Sequence, residues 1–99
     1  MESLFNLGLS ENTLRSMLEQ CPDIKELSND EVISKINILK ALKCRDNEII
    51  NIISSNAIYL NRSNNDIELL LDKLIEYGFS NFNILFDSNP YILNLFAFL

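Results

Sequence analysis

Apolar residues along this chain recur at helical spacing and stop at breakers. Leu14, Met17 and Leu18 stand at i, i+3 and i+4, which puts them on one face of a helix. Ser10 precedes them as an N-cap whose oxygen can accept from a free N–H of the first turn. Pro22 ends the run, because it lacks an N–H and its ring clashes with the turn before it. A second helix is predicted from Ser28, with Glu31 three residues on as a capping box and Val32, Ile36 and Leu39 along its apolar face. Further along, Ser63 and Asp66 repeat the cap spacing. Ile67, Leu70, Leu71, Leu74 and Ile75 then make a wider apolar stripe, and Gly78 supplies a left-handed stop.

These elements are copies of one another. An offset of 35 residues carries Leu14 to Ile49, Leu18 to Ile53, Ser28 to Ser63, Val32 to Ile67, Ile36 to Leu71 and Leu39 to Leu74, with Leu27 to Arg62 as the mismatch. The same offset carries Leu9 to Cys44 and Cys44 to Phe79, and two steps carry Ser10 to Ser80. A partial third copy fits at an offset of 33: Ile49 to Phe82, Ile53 to Phe86, Asn56 to Asn89 and Ala57 to Pro90. The two lost residues are placed in the turn between Phe79 and Phe82. The β-branched stretch EIINIISS (Glu48 to Ser55) could be a buried strand, but its registration with SMLEQC and NILFDS reads as helix.

Composition narrows the class. With only two glycines and two prolines in 99 residues, the chain lacks the turn residues that an all-β domain requires, and its length allows one core. The expected fold is all-α: a short helical-repeat, solenoid-like array of about two and a half helix-break-helix units. It is expected to form one domain over residues 1–99, with units at about 8–42, 43–77 and a partial 78–99.

The unit is therefore G-L-S, a short helix, a C-P or N-P break, an S-x-x-E/D cap and a longer helix rich in Ile and Leu. It resembles the mitochondrial transcription termination factor (mTERF) repeat. The residues carrying the resemblance are Gly8, Leu9, Ser10, Leu14, Leu18, Cys21, Pro22, Ser28, Ile36 and Leu39, then Ile49, Ile53, Ser63, Leu71, Leu74 and Gly78, then Phe79, Ser80 and Pro90. The resemblance implies short repeats stacked into a curved array, with the proline-containing break forming a brief extra turn. It also implies nucleic-acid binding along a basic concave face, in organelle gene expression.

The charge points elsewhere. The net charge is −6, and residues 46–99 hold two Lys/Arg against seven Asp/Glu, whereas residues 1–45 hold six against seven. An acidic surface repels phosphate and has little cationic charge with which to release counterions, so broad nucleic-acid binding is disfavoured. There is no histidine, and Cys21 and Cys44 form no CxxC; no metal set, cofactor motif or catalytic nucleophile–base set is expected. The cysteines read as reduced thiols of a cytoplasmic protein, Cys44 in core packing and Cys21 in a more exposed position. The N-terminal stretch shows no basic leader, and the longest apolar run, Tyr91 to Leu99, is too short to cross a membrane.

Two candidate surfaces follow. Lys40, Lys43 and Arg45, in KALKCR at the junction of the first two units, are the candidate nucleic-acid contact, although lysines near a helix C-terminus also meet its dipole favourably. Tyr91, Leu95, Phe96, Phe98 and Leu99 are the candidate partner surface, because the last unit of a solenoid ordinarily needs a polar outer face and this tail is apolar. The expected function is a non-enzymatic protein-interaction or regulatory binding module for a protein partner or a second copy, with the apolar C-terminal end and the acidic second half as its surfaces. Two alternatives are an mTERF-like nucleic-acid binder and an acidic inhibitor that occupies the basic groove of a nucleic-acid-handling protein.

Overall fold

The computed structural model describes residues 1–98, and their side chains as far as Asn94. The described residues are helical throughout, with no strand, so the EIINIISS stretch is helix as the repeat requires. In chain order the elements are α1 (Glu2–Leu7), α2 (Glu11–Gln20), the 3₁₀ helix η1 (Pro22–Glu26), α3 (Asn29–Ala41), α4 (Asp46–Ser55), η2 (Ala57–Asn61), α5 (Asn64–Glu76), α6 (Phe82–Ser88) and η3 (Pro90–Phe98). The elements α2, η1 and α3 have 10, 5 and 13 residues, as do α4, η2 and α5. Every boundary of the first set lies 35 residues before its counterpart. From the third set only α6 and η3 are described, and α6 ends 33 residues after α4, so the shortening falls at its start, between Phe79 and Phe82.

Local chemistry explains the boundaries. Ser10, Ser28 and Ser63 each accept from the backbone N–H three residues on, at 3.1 Å, and Glu31 returns a bond to the Ser28 N–H to complete a capping box. The short helices end at Cys21, Asn56 and Asn89, with φ of −145°, −146° and −138°, outside the helical region, and Pro22, Ala57 and Pro90 then open the 3₁₀ turns.

The closing turn of each long helix is the most regular feature. The N–H of Cys44 donates to the Leu39 carbonyl and that of Lys43 to the Lys40 carbonyl. Phe79 to Leu74 with Gly78 to Ile75, and Leu9 to Leu4 with Gly8 to Phe5, repeat the pattern. This is a Schellman turn, which needs a left-handed residue at its hinge. Gly8, Lys43 and Gly78 fill that place at φ 113°, 73° and 92°. By the same register, α1 matches the last turns of α3 and α5, an equivalence too short to read from ESLFNL alone.

Short helix stacks on short helix (α2, α4, α6) and 3₁₀ turn on 3₁₀ turn (η1, η2, η3), each unit contacting its neighbours as a solenoid does. The core runs through Met17, Ile24, Leu39, Ile49, Ile53, Tyr59, Leu70 and Phe86. The units are also tied by polar bonds: the buried Tyr59 hydroxyl donates to the Lys35 carbonyl at 2.7 Å, Asn64 Nδ2 to Ser34 Oγ at 2.8 Å, and Asn51 Nδ2 to Asp87 Oδ1 at 2.8 Å. Buried Asn56 donates to the Pro90 carbonyl.

Three expectations are corrected. Cys21 is buried, because η1 folds back over the end of α2. Ile75 lies outside the apolar stripe of α5 and is exposed, since it projects away from the side occupied by Ile67, Leu70 and Leu74. Phe79, which follows the same turn as Leu9 and Cys44 and by that register is expected in the core, is 46% exposed against their 5% and 7%.

Lys43 is the one non-glycine residue among the three hinges. A Cβ in the left-handed region costs roughly 1–2 kcal/mol, and part of that is offset because glycine loses more entropy on folding. Lys43→Gly is therefore expected to stabilise the chain by about 1 kcal/mol, raising the thermal midpoint by roughly 4–8 °C. Lys43→Ala, which keeps the Cβ, should give no such gain when both are followed by circular dichroism.

Candidate functional site

The basic candidates sit on the turn that joins α3 to α4. Lys40 lies in the last turn of α3, where it meets the negative end of the helix dipole, and it lines a shallow cleft with Asn6, Asn37 and Asp46. Lys43 is the exposed left-handed hinge. Arg45 caps α4: its backbone N–H donates to Glu48 Oε1 at 2.8 Å and its Nε to the same oxygen at 3.2 Å. These bonds, the backbone one foremost, hold the Glu48 carboxyl below the usual range. The structure thus brings the three cations to one corner, but Asp46 and Glu48 stand beside them.

A cleft of about 640 Å³ lies between α3 and the start of α5 and is lined by Asp30, Glu31, Lys35, Leu60, Arg62 and Ser63 among others. Lys35 occupies the register of Leu70, a core position, and its stem is buried. Desolvation lowers its pKa, against the opposing pull of the Glu31 carboxylate. Among the described residues no three His, Cys, Asp or Glu side chains are grouped to hold a metal ion, and no helix is long and apolar enough to cross a membrane.

At the far end of the array, the proposed partner surface is only partly described. Tyr91 is 67% exposed, whereas Leu93 is buried, so η3 covers part of the core while presenting Tyr91 outward. The side chains of Leu95, Phe96 and Phe98, and all of Leu99, lie outside the described residues.

A second exposed apolar set was not anticipated from the stripe pattern. Leu69, Ile75, Tyr77, Phe79 and Ile84 are all exposed, on α5, on the turn after it and on α6. The repeat register makes them informative. Leu69 stands where Ser34 stands in α3, half-buried and bonded to Asn64 of the next long helix. Phe79 stands in place of Cys44, and Ile84 in place of Asn51, which is bonded to Asp87. The positions that meet the following unit inside the chain are therefore more apolar where no such unit is described. Comparing the polar positions of α3 and α5 at the 35-residue offset would have found Leu69 and Ile75, which stand against Ser34 and Lys40; comparing only the apolar stripes hides them.

The opposite end is more polar at the matching positions. Leu60, Asn61 and Asn64 face the preceding unit, the first two across the cleft and the third through its bond to Ser34. Their counterparts in the first unit, Lys25, Glu26 and Asn29, are polar and exposed.

Cys44 sits behind the basic corner. Burial, with the Glu48 and Asp87 carboxylates adding to it, pushes its thiol up to about 11. The folded state therefore holds this proton more tightly than the unfolded state, and the stability it contributes is present below about pH 9 and lost as the pH climbs toward 11. The urea midpoint of the native chain is expected to fall more steeply across that window than that of Cys44→Ala; parallel slopes would contradict the assignment.

No curated protein and no solved structure matches the chain. A family model does, the one described as mTERF, over residues 1–93. Paired helices joined by a 3₁₀ break, repeated along nearly the whole matched span, are the architecture that the resemblance implied, and the chain belongs to the mTERF family.

Proposed function

We propose that this chain is a non-enzymatic helical-repeat module that binds another protein through the outer face of its last units. The observation that carries this reading is the asymmetry between the two ends of the array. The leading end carries Lys25, Glu26 and Asn29, and its exposed apolar side chains, Phe5 and Ile33, are 40% and 36% accessible, whereas the trailing end exposes Leu69 at 60%, Ile75 at 58%, Ile84 at 61% and Tyr91 at 67%. Apolar faces of this kind on an otherwise polar surface are the usual mark of an interaction site. Tyr91 extends the same end. The unit limits 8–42, 43–77 and 78–99 belong to this reading, as does a reducing, cytoplasmic setting in which two buried thiols stay free.

A second reading, nucleic-acid binding, is favoured by the exposure of Lys40, Lys43 and Arg45 at one corner and by the family itself. The carboxylates beside them and the net charge of −6 weigh against it. Phosphate-driven binding would be strongly salt-dependent.

The two readings separate in one experiment. The full chain is used to capture partners from its source with and without nuclease, beside a variant carrying Leu69→Ser and Ile75→Lys. Both replacements are the residues α3 itself holds in that register, so the fold tolerates them. A protein captured after nuclease by the native chain and lost by the variant is the expected result. Capture that disappears with nuclease, and retention of mixed DNA or RNA at about 50 mM salt, would overturn it in favour of the second reading.

A further inference from the structure

The outer surface of α5 differs from that of α3 in a way the fold does not require. Glu68, Asp72 and Glu76 are spaced i, i+4 and i+8, so they form one column along the helix, and all three are exposed. At 3.6 residues per turn, Leu69 lies along one side of that column and Ile75 along the other, and both are more than half exposed. In α3 the column reads Ile33, Asn37 and Ala41, and its flanks are Ser34 and Lys40. The same helix in the same array can thus be built with a neutral column and polar flanks. The chain has inverted both on its last long helix.

The inversion has a cost within the monomer. Like charges at i, i+4 repel, and the pairs Glu68–Asp72 and Asp72–Glu76 are both of this kind. Relief comes from the 3.3 Å pair of Lys73 with Glu76, between two exposed side chains. Such a surface pair contributes little.

From this we infer that the outer face of α5 docks a basic amphipathic helix of a different protein, one whose Lys or Arg residues lie along the carboxylate column while its apolar residues cover Leu69 and Ile75. This rests on the protein-binding reading above and names the chemistry of the partner. Charge decides among the occupants. A second copy meeting face to face would set two carboxylate columns against each other, and one meeting head to tail would bring the polar leading end, with Glu26 exposed, onto an apolar surface. Nucleic acid is repelled by the same column. A basic helix satisfies both features of the face, and charge complementarity of this kind sets partner choice and association rate.

The test uses the full chain and two synthetic helical peptides that share their apolar rows and differ only in the stripe between them, lysine in one and glutamate in the other. Binding is read by fluorescence anisotropy. The lysine peptide is expected to bind at least about ten-fold more tightly than the glutamate peptide, with the gap closing between about 50 mM and about 500 mM salt as screening shortens the reach of the charges. The variant Glu68→Ile, Asp72→Asn, Glu76→Ala, which gives α5 the column of α3, should lose that preference while keeping its helical circular dichroism. Equal affinity for the two peptides, or a variant that keeps the preference, would overturn the inference. Should the peptides fail while a nuclease-resistant partner is still lost with Leu69→Ser and Ile75→Lys, the partner chemistry is refuted and the binding face stands. Should that partner also be retained by the variant, both fall.

Discussion

The structure depends on one backbone device, the left-handed turn that closes each long helix. Its hinge residue frees the chain from the helix. The next N–H then reaches back to the carbonyl five residues earlier, as Leu9 to Leu4, Cys44 to Leu39 and Phe79 to Leu74. The residue after the hinge is thereby brought toward the core, and the following short helix starts in a set direction. Because the turn recurs in the same register, each short helix lands on the one before it, and so does each 3₁₀ turn. Were the hinge to fail, the chain would have helices but no common stacking direction, and no single helix here is long enough to be stable by itself in water.

The repeat was legible because its punctuation is chemical. Serine at a cap, proline at a break and apolar residues at i, i+3 and i+4 each answer a local demand, so they recur wherever that demand recurs. Other features escaped for physical reasons. The hinge at Lys43 is hidden because lysine has no preference for the left-handed region, and only its register with Gly8 and Gly78 exposes it. Burial of Cys21 depends on the fold-back of η1, which is a tertiary event. The exposure of Ile75 was masked because an apolar residue at helical spacing reads as core, and that of Phe79 because its register with Leu9 and Cys44 does, whether or not a neighbour arrives to cover it. At the basic corner, the bonds from Arg45 to Glu48 could not be seen from KALKCR alone.

A repeat protein offers an internal control that most folds lack. Positions where α3 and α5 agree serve the stacking they share, as Val32 and Ile67 or Leu39 and Leu74 do in the core. Positions where they differ answer to something besides that shared demand. Serine against leucine, lysine against isoleucine, and a neutral column against three carboxylates are differences of the second kind, and they gather on one exposed helix face. Membership of the mTERF family accounts for the stacking. It does not account for this face.

One unit is repeated on left-handed turns, and the face proposed above for a protein partner is uncovered among the described residues. Amide hydrogen exchange in the full chain tests this most directly at Cys44 and Phe79, which make the same backbone bond after the same turn in successive units. The account predicts slow exchange at Cys44 and markedly faster exchange at Phe79 in the free chain, with Phe79 slowing toward Cys44 when a protein partner is bound. Equal protection of the two amides in the free chain would mean that the end is already closed, and would contradict it.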